Sequence, residues 1–241
     1  MTDTLISLGY YVSSIGFLIA SLVTFNAMRK SSQSGLKTVL TYLFIGTGTF
    51  FFITIFQKMA ASGVYSISDE SPDIWWHLMF YMAMFSYYIG FKKLAGLASA
   101  DASTPVAANA GKTWGIISAV LLVIIFIIPN YAESWVNMYT SSRLGELGLH
   151  HFIAFIFAGI VGAYVFSAKI FLGQIGRAIA SPMIIAVWAV ALQHLWELLN
   201  ESWKVIIVTP QVGEGVEKIF LTIAAICVIF AALRLKAFAK A

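Results

Sequence analysis

Four histidines, His77, His150, His151 and His194, are the side chains of this 241-residue chain best suited to chemistry. Each lies within about two helical turns of the same end of a long apolar segment. An ionisable side chain inside a bilayer costs roughly 2.5 kcal/mol or more when charged, so a group of them at one depth marks a site by default. The simplest account of any one of them is an interfacial polar residue bonded to a loop or a neighbouring helix. Four on one side ask for more.

Helical spacing adds neighbours to each histidine. Tyr81, Met84 and Tyr88 fall on the stripe of His77, a face too polar for lipid. Phe155, Ala158 and Gly162 fall on that of His151, with Gly159 beside them, and small residues there let a helix or a flat cofactor approach closely. These small residues favour His151 over His150 as the inward member of the pair. Glu197 and Glu201 share the stripe of His194, Gln193 precedes it, and Gln57 and Lys58 stand at the corresponding end of the second segment.

Two cofactors suit this constellation. Two neutral imidazoles on facing helices can take the axial positions of a b-type haem, as helix bundles arrange such sites. His77 with His151 or His194 is the expected pair, with Gly159 and Gly162 making room for the porphyrin. Lys58, Arg143 or Lys204 would meet the propionates. Alternatively, His77, His151 or His150, His194 and Glu197 supply the mixed nitrogen and oxygen donors that suit iron, copper or zinc. Either centre predicts electron transfer between a membrane quinol and an external redox partner. An open coordination position on a metal would instead activate water, giving a membrane hydrolase.

The elements that must position these residues are transmembrane helices. The chain is 60% apolar and 11% charged, against about 25% charged in soluble proteins, and its mean hydropathy is +0.86. Runs long enough to cross a bilayer fall at 5–28, 36–60, 74–98, 113–130, 147–172, 178–200 and 217–238. The expectation is a single all-α domain over 1–241, a bundle of seven transmembrane helices in the cytoplasmic membrane, with lipid as its constant partner. No cleaved-signal pattern precedes the first span.

Charge placement orients the bundle. Counted alternately, one set of loops holds Arg29, Lys30, Lys37, Lys92, Lys93, Lys112, Lys169, Arg177, Arg234, Lys236 and Lys240 against Asp101 alone. The other holds Lys58, Arg143, Lys204 and Lys218 against Asp3, Asp69, Glu70, Asp73, Glu133, Glu146, Glu197, Glu201, Glu214 and Glu217. A net +10 thus faces −6, which together return the chain's +4. Cytoplasmic loops collect lysine and arginine, so the N-terminus is expected outside, the C-terminus inside and the histidines near the outer face. The basic excess is then an orientation signal that implies no nucleic-acid partner. Trp75, Trp76, Trp135, Trp196 and Trp203 at the histidine level read as an interfacial belt.

A faint repeat at an offset of 141 pairs Leu8 with Leu149, Phe25 with Phe166, Gln33 with Gln174 and Gly35 with Gly176. It predicts a 3+1+3 arrangement of parallel repeats, which in outline resembles the SWEET sugar transporters and makes a solute carrier or channel the runner-up function. Their proline-glutamine signature inside helices is not evident, since Pro210-Gln211 is expected in a loop and Pro182 is followed by no glutamine. Seven-helix zinc hydrolases of the ceramidase and adiponectin-receptor type are similar in architecture, but the last span lacks their HxxxH. A rhodopsin would need a lysine deep in the last span, where the chain reads Ile223-Ala224-Ala225-Ile226-Cys227. Cys227 is the single cysteine, which rules out an intramolecular disulfide and a CxxC site. Nucleotide-binding and serine-hydrolase motifs are lacking. The linker from Ala95 to Lys112 is too short for a domain, so a redox or signalling output needs another protein or membrane subunit.

Overall fold

The computed structural model describes residues 2–64, 71–98, 108–127, 138–139, 141–171 and 173–238, and their regular structure is entirely helical. In chain order the helices are α1 (Thr2–Lys30), α2 (Ser34–Ala61), α3 (Ser71–Ala98), α4 (Ala108–Ile127), the single turn α5 (Arg143–Glu146), α6 (Leu149–Phe171), α7 (Gly173–Glu197) and α8 (Pro210–Phe238). A wider π-type turn, Leu198–Ser202, prolongs α7. Each apolar run read from the sequence falls on a helix, as it must where no water satisfies the backbone, except that Leu147 and Gly148 form the turn before α6; residues 128–130 and 172 lie outside the described set.

Five stretches are long and apolar enough to cross a membrane: Thr4–Lys30, Gly35–Ala60, Leu149–Ser167, Gly176–Ser202 and Pro210–Ala237. The apolar part of α4, Thr113–Ile124, is shorter. The remaining long helix, α3, is diluted by Trp75, Trp76, His77, Tyr81, Tyr87 and Tyr88.

Packing contacts join α1 to α2, α2 to α3, α3 to α6, α6 to α7, α7 to α8 and α8 back to α1, so six helices close a ring. The fourth helix lies outside it, against α2. The ring's centre is a dry aromatic and aliphatic core. Phe17 stacks on Phe50 at 5.0 Å, and Phe50 on Tyr87 at 6.0 Å. Gly46 makes room for Tyr87, because a Cβ there would stand 2.7 Å from its ring. Phe17, Phe50, Tyr87, Val190 and Val228 line about 170 Å³ of interstitial space that is nowhere wide enough for a water molecule.

The last helix begins seven residues before the expected start at 217. Pro210 is pre-set for the first helical position, and the backbone N–H groups of Val212 and Gly213 donate to Thr209 O. Pro210-Gln211, expected in a loop, therefore opens a helix, and Glu214, Glu217 and Lys218 are carried inside it. Lys218, counted from the sequence with the loop charges, is buried. Its Nζ lies 3.5 Å from Glu217 Oε2 and 4.3 Å over the Tyr10 ring. Tyr10 OH donates to Glu214 Oε1 at 3.0 Å. Gly9 permits this approach, since a Cβ there would be 2.6 Å from Lys218 Cβ.

Candidate metal centre

Opposite chain directions bring the histidines to one end of the ring. His77 stands in the second turn of α3, His150 and His151 in the first turn of α6, and His194 in the last turn of α7. Gly148, with φ +66°, turns the chain into α6 and lies against Ser202 where the π-type turn ends, leaving no space for a Cβ. That contact holds the start of α6 against the end of α7.

One ligand atom from each of His77, His151, His194 and Glu197 lies within 4.8 Å of the other three, and none of the four residues is more than 3% exposed. Glu197 Oε2 is the hub: His194 Nδ1 is 2.9 Å from it and His151 Nδ1 3.1 Å. Imidazole nitrogens and a carboxylate oxygen around one ion at about 2.0–2.2 Å would have separations near these values. Gln193 Nε2 donates to Glu197 Oε1 at 2.8 Å, so the second carboxylate oxygen is also held. On the far side of His151, Nε2 faces Glu201 Oε2 at 3.8 Å, and Glu201 is about half exposed. Metal-binding histidines commonly direct their second nitrogen at such an outer carboxylate. A π-type turn just after Glu197, of a kind frequent at functional sites, brings both glutamates to His151.

His150 stands to one side. It is half-buried, its ring centroid is 4.1 Å from that of His151 and 4.9 Å from that of His77, and its Nδ1 shares a 3.2 Å hydrogen bond with Tyr139 OH. Tyr81 OH donates to the backbone carbonyl of His150. His150 is not one of the four residues whose ligand atoms lie within 4.8 Å of one another.

Aromatic rings wall the centre. Trp76, which the sequence assigned to an interfacial belt, is buried instead. It stacks on His194 with centroids 4.9 Å apart at 15°, and lies 4.4 Å from the His77 ring. Phe80, one turn further on, meets His194 edge-on at 4.5 Å. Sequence reasoning missed both as site residues; the available signal was their place on the helix carrying His77. Trp196 donates to Gly213 O and Trp203 is half exposed. Asp69, Glu70, Glu133 and Trp135 lie outside the described residues.

A porphyrin does not fit the expected slot. The His77 and His194 rings are 4.9 Å apart, centroid to centroid, too close for a macrocycle with an axial nitrogen on each side, and Trp76 and Phe80 close the flanks. Gly159 and Gly162, expected to admit the porphyrin, instead face Trp188: a Cβ on Gly162 would meet its Nε1 at 3.0 Å. Lys58, expected near the propionates, lies over the rings of Tyr10 and Tyr11.

The chain matches no protein-family model, no curated protein and no solved structure. The reading of the site therefore rests on its own chemistry. Three imidazoles and one carboxylate suit a first-row transition ion far better than calcium or magnesium, which take oxygen donors.

Proposed function

We propose that the chain is a seven-span membrane metalloprotein, N-terminus outside, holding one iron, copper or zinc ion near the outer face through His77, His151, His194 and Glu197. The observation that carries this is the meeting of four buried donors from three helices within 4.8 Å. Burying an imidazole cluster and a carboxylate is costly unless they are paired or bound to a metal. The loop charges support the orientation, and α3 and α4 complete the seven spans. With iron or copper, the centre would exchange electrons between a quinol in the membrane and an external redox partner, Trp76 lying against two of the imidazoles. Zinc would leave Lewis-acid chemistry, the membrane-hydrolase reading.

Metal analysis with optical and EPR spectra of the purified protein and of His77→Ala tests this. We expect a bound transition ion in the wild type and its loss from the variant. A metal-free wild type, or full occupancy in His77→Ala, would overturn the assignment; zinc alone would end the electron-transfer reading.

One observation favours a second reading. A half-turn of the six-helix ring carries α1 onto α6, α2 onto α7 and α3 onto α8, the order a 3+1+3 parallel repeat requires. A solute carrier of that architecture would have to open the dry centre around Phe50 and Tyr87. Metal-free protein that catalyses solute flux in vesicles would establish this reading in place of the first.

A further inference from the structure

Gln193 carries a polar atom that the residues around it leave unanswered. The residue is fully buried, and its Nε2 is committed to Glu197 Oε1 at 2.8 Å. That bond sets the amide's orientation, because the flipped form would press its oxygen against a carboxylate oxygen. Its Oε1 is a buried acceptor with no donor among the described residues. An acceptor sealed from water and left unbonded loses its hydration without return, so such an atom points to a donor that belongs there.

Its place indicates which donor. Ala186, Val190, Gln193 and Glu197 follow one face of α7, and Ala186 and Val190 line the dry centre of the ring. Gln193 is therefore the floor of the site, with apolar packing below it and the Glu197 carboxylate above. Among the residues lining that centre, Tyr87 alone carries an O–H, and it is committed to Thr47 Oγ1, whose own hydrogen goes to the Leu43 carbonyl. The donor must come from the side of the metal centre.

We infer that the metal ion of the proposed centre carries an exchangeable O–H ligand, water in the resting protein and the hydroxyl group of a small substrate in turnover, whose hydrogen bond Gln193 Oε1 receives. This rests on the metal-binding reading and deepens it. A centre closed by four protein donors is structural; one that keeps an exchangeable O–H ligand can bind a substrate. Gln193 then has two duties: its Nε2 holds Glu197 in place, and its Oε1 selects a ligand that donates a hydrogen bond.

Pulsed EPR of the full-length protein loaded with Cu(II) in D2O tests the inference, with copper stoichiometry measured on the same samples. The expected result is a coordinated, exchangeable deuteron signal in the wild type that is lost, per copper ion bound, in Gln193→Met. Copper bound in the wild type without a coordinated exchangeable deuteron overturns the inference and leaves the metal site standing. So does a deuteron signal unchanged in Gln193→Met. No copper bound by the wild type removes the metal-binding reading and this inference with it. The wild-type measurement decides even where the variant does not fold.

Discussion

The same helices carry two opposite interiors. Around the ring's centre, Phe17, Phe50, Tyr87, Val190 and Val228 pack so closely that no water fits. About two turns toward the end where α1 begins, the same helices turn Tyr10, Gln57, His77, Gln193, His194, Glu197 and Glu217 toward one another or their neighbours. Lipid gives no hydrophobic reward for bringing helices together, so packing and polar bonds must do it. The centre uses ring stacking, and the polar end uses a carboxylate shared by two imidazoles and an amide. The contrast teaches that the dry core below can rigidly position donors that tolerate little misplacement above.

The largest expected effect breaks the lower region alone. Phe50→Ala should cost about 3–5 kcal/mol, because its ring contacts Phe17, Phe80 and Tyr87 and the site would collapse only in part. Unfolding in mixed detergent would measure it, with metal content at saturating ion unchanged. Joint loss of stability and of saturable binding would show that the two regions form one unit.

The converse substitution sharpens the upper region. His77→Asn should weaken metal binding by roughly 100-fold or more, at the upper end of what even an outer-sphere change costs. Competition against a chromophoric chelator reads this directly. Glu201→Gln should cost less, about tenfold in affinity, since Glu201 faces the far nitrogen of His151 from the rim. An unchanged affinity there would remove Glu201 from the site.

The smallest effect separates packing from cofactor space. Gly162→Ala should destabilise by about 1 kcal/mol, because its Cβ would crowd Trp188. Gly159→Ala, whose nearest neighbour would be Trp188 at 4.0 Å, should change stability by less than about 0.5 kcal/mol. Neither should alter metal affinity. A large change in affinity from both would restore a flat cofactor beside these glycines.

Much of the candidate site was legible in the chain, though unevenly. His194 and Glu197 are three residues apart in one helix, so their contact follows from helical spacing. His77, His151 and His194 could be placed at a common depth because each lies near a known end of an apolar run. Trp76 was misread since tryptophan near a helix end is common at membrane interfaces, and only its neighbours distinguish a wall residue from a belt residue. The expectation of porphyrin space beside Gly159 and Gly162 failed for a related reason. Small residues on a stripe show that something approaches closely, and here it is Trp188.

By itself the sequence determined an all-helical membrane chain, the extent of its apolar segments and the level of the histidines along them. Hydropathy and charge act locally, so each is readable without knowing which helix is beside which. Only the tertiary structure decided the ring order, the exclusion of α4, the convergence on Glu197, the burial of Trp76 and the placing of Gln193 beneath the site. Helical periodicity sets a residue's depth and the face it shares. Which neighbour that face meets depends on packing among all six helices at once, and no single segment encodes it.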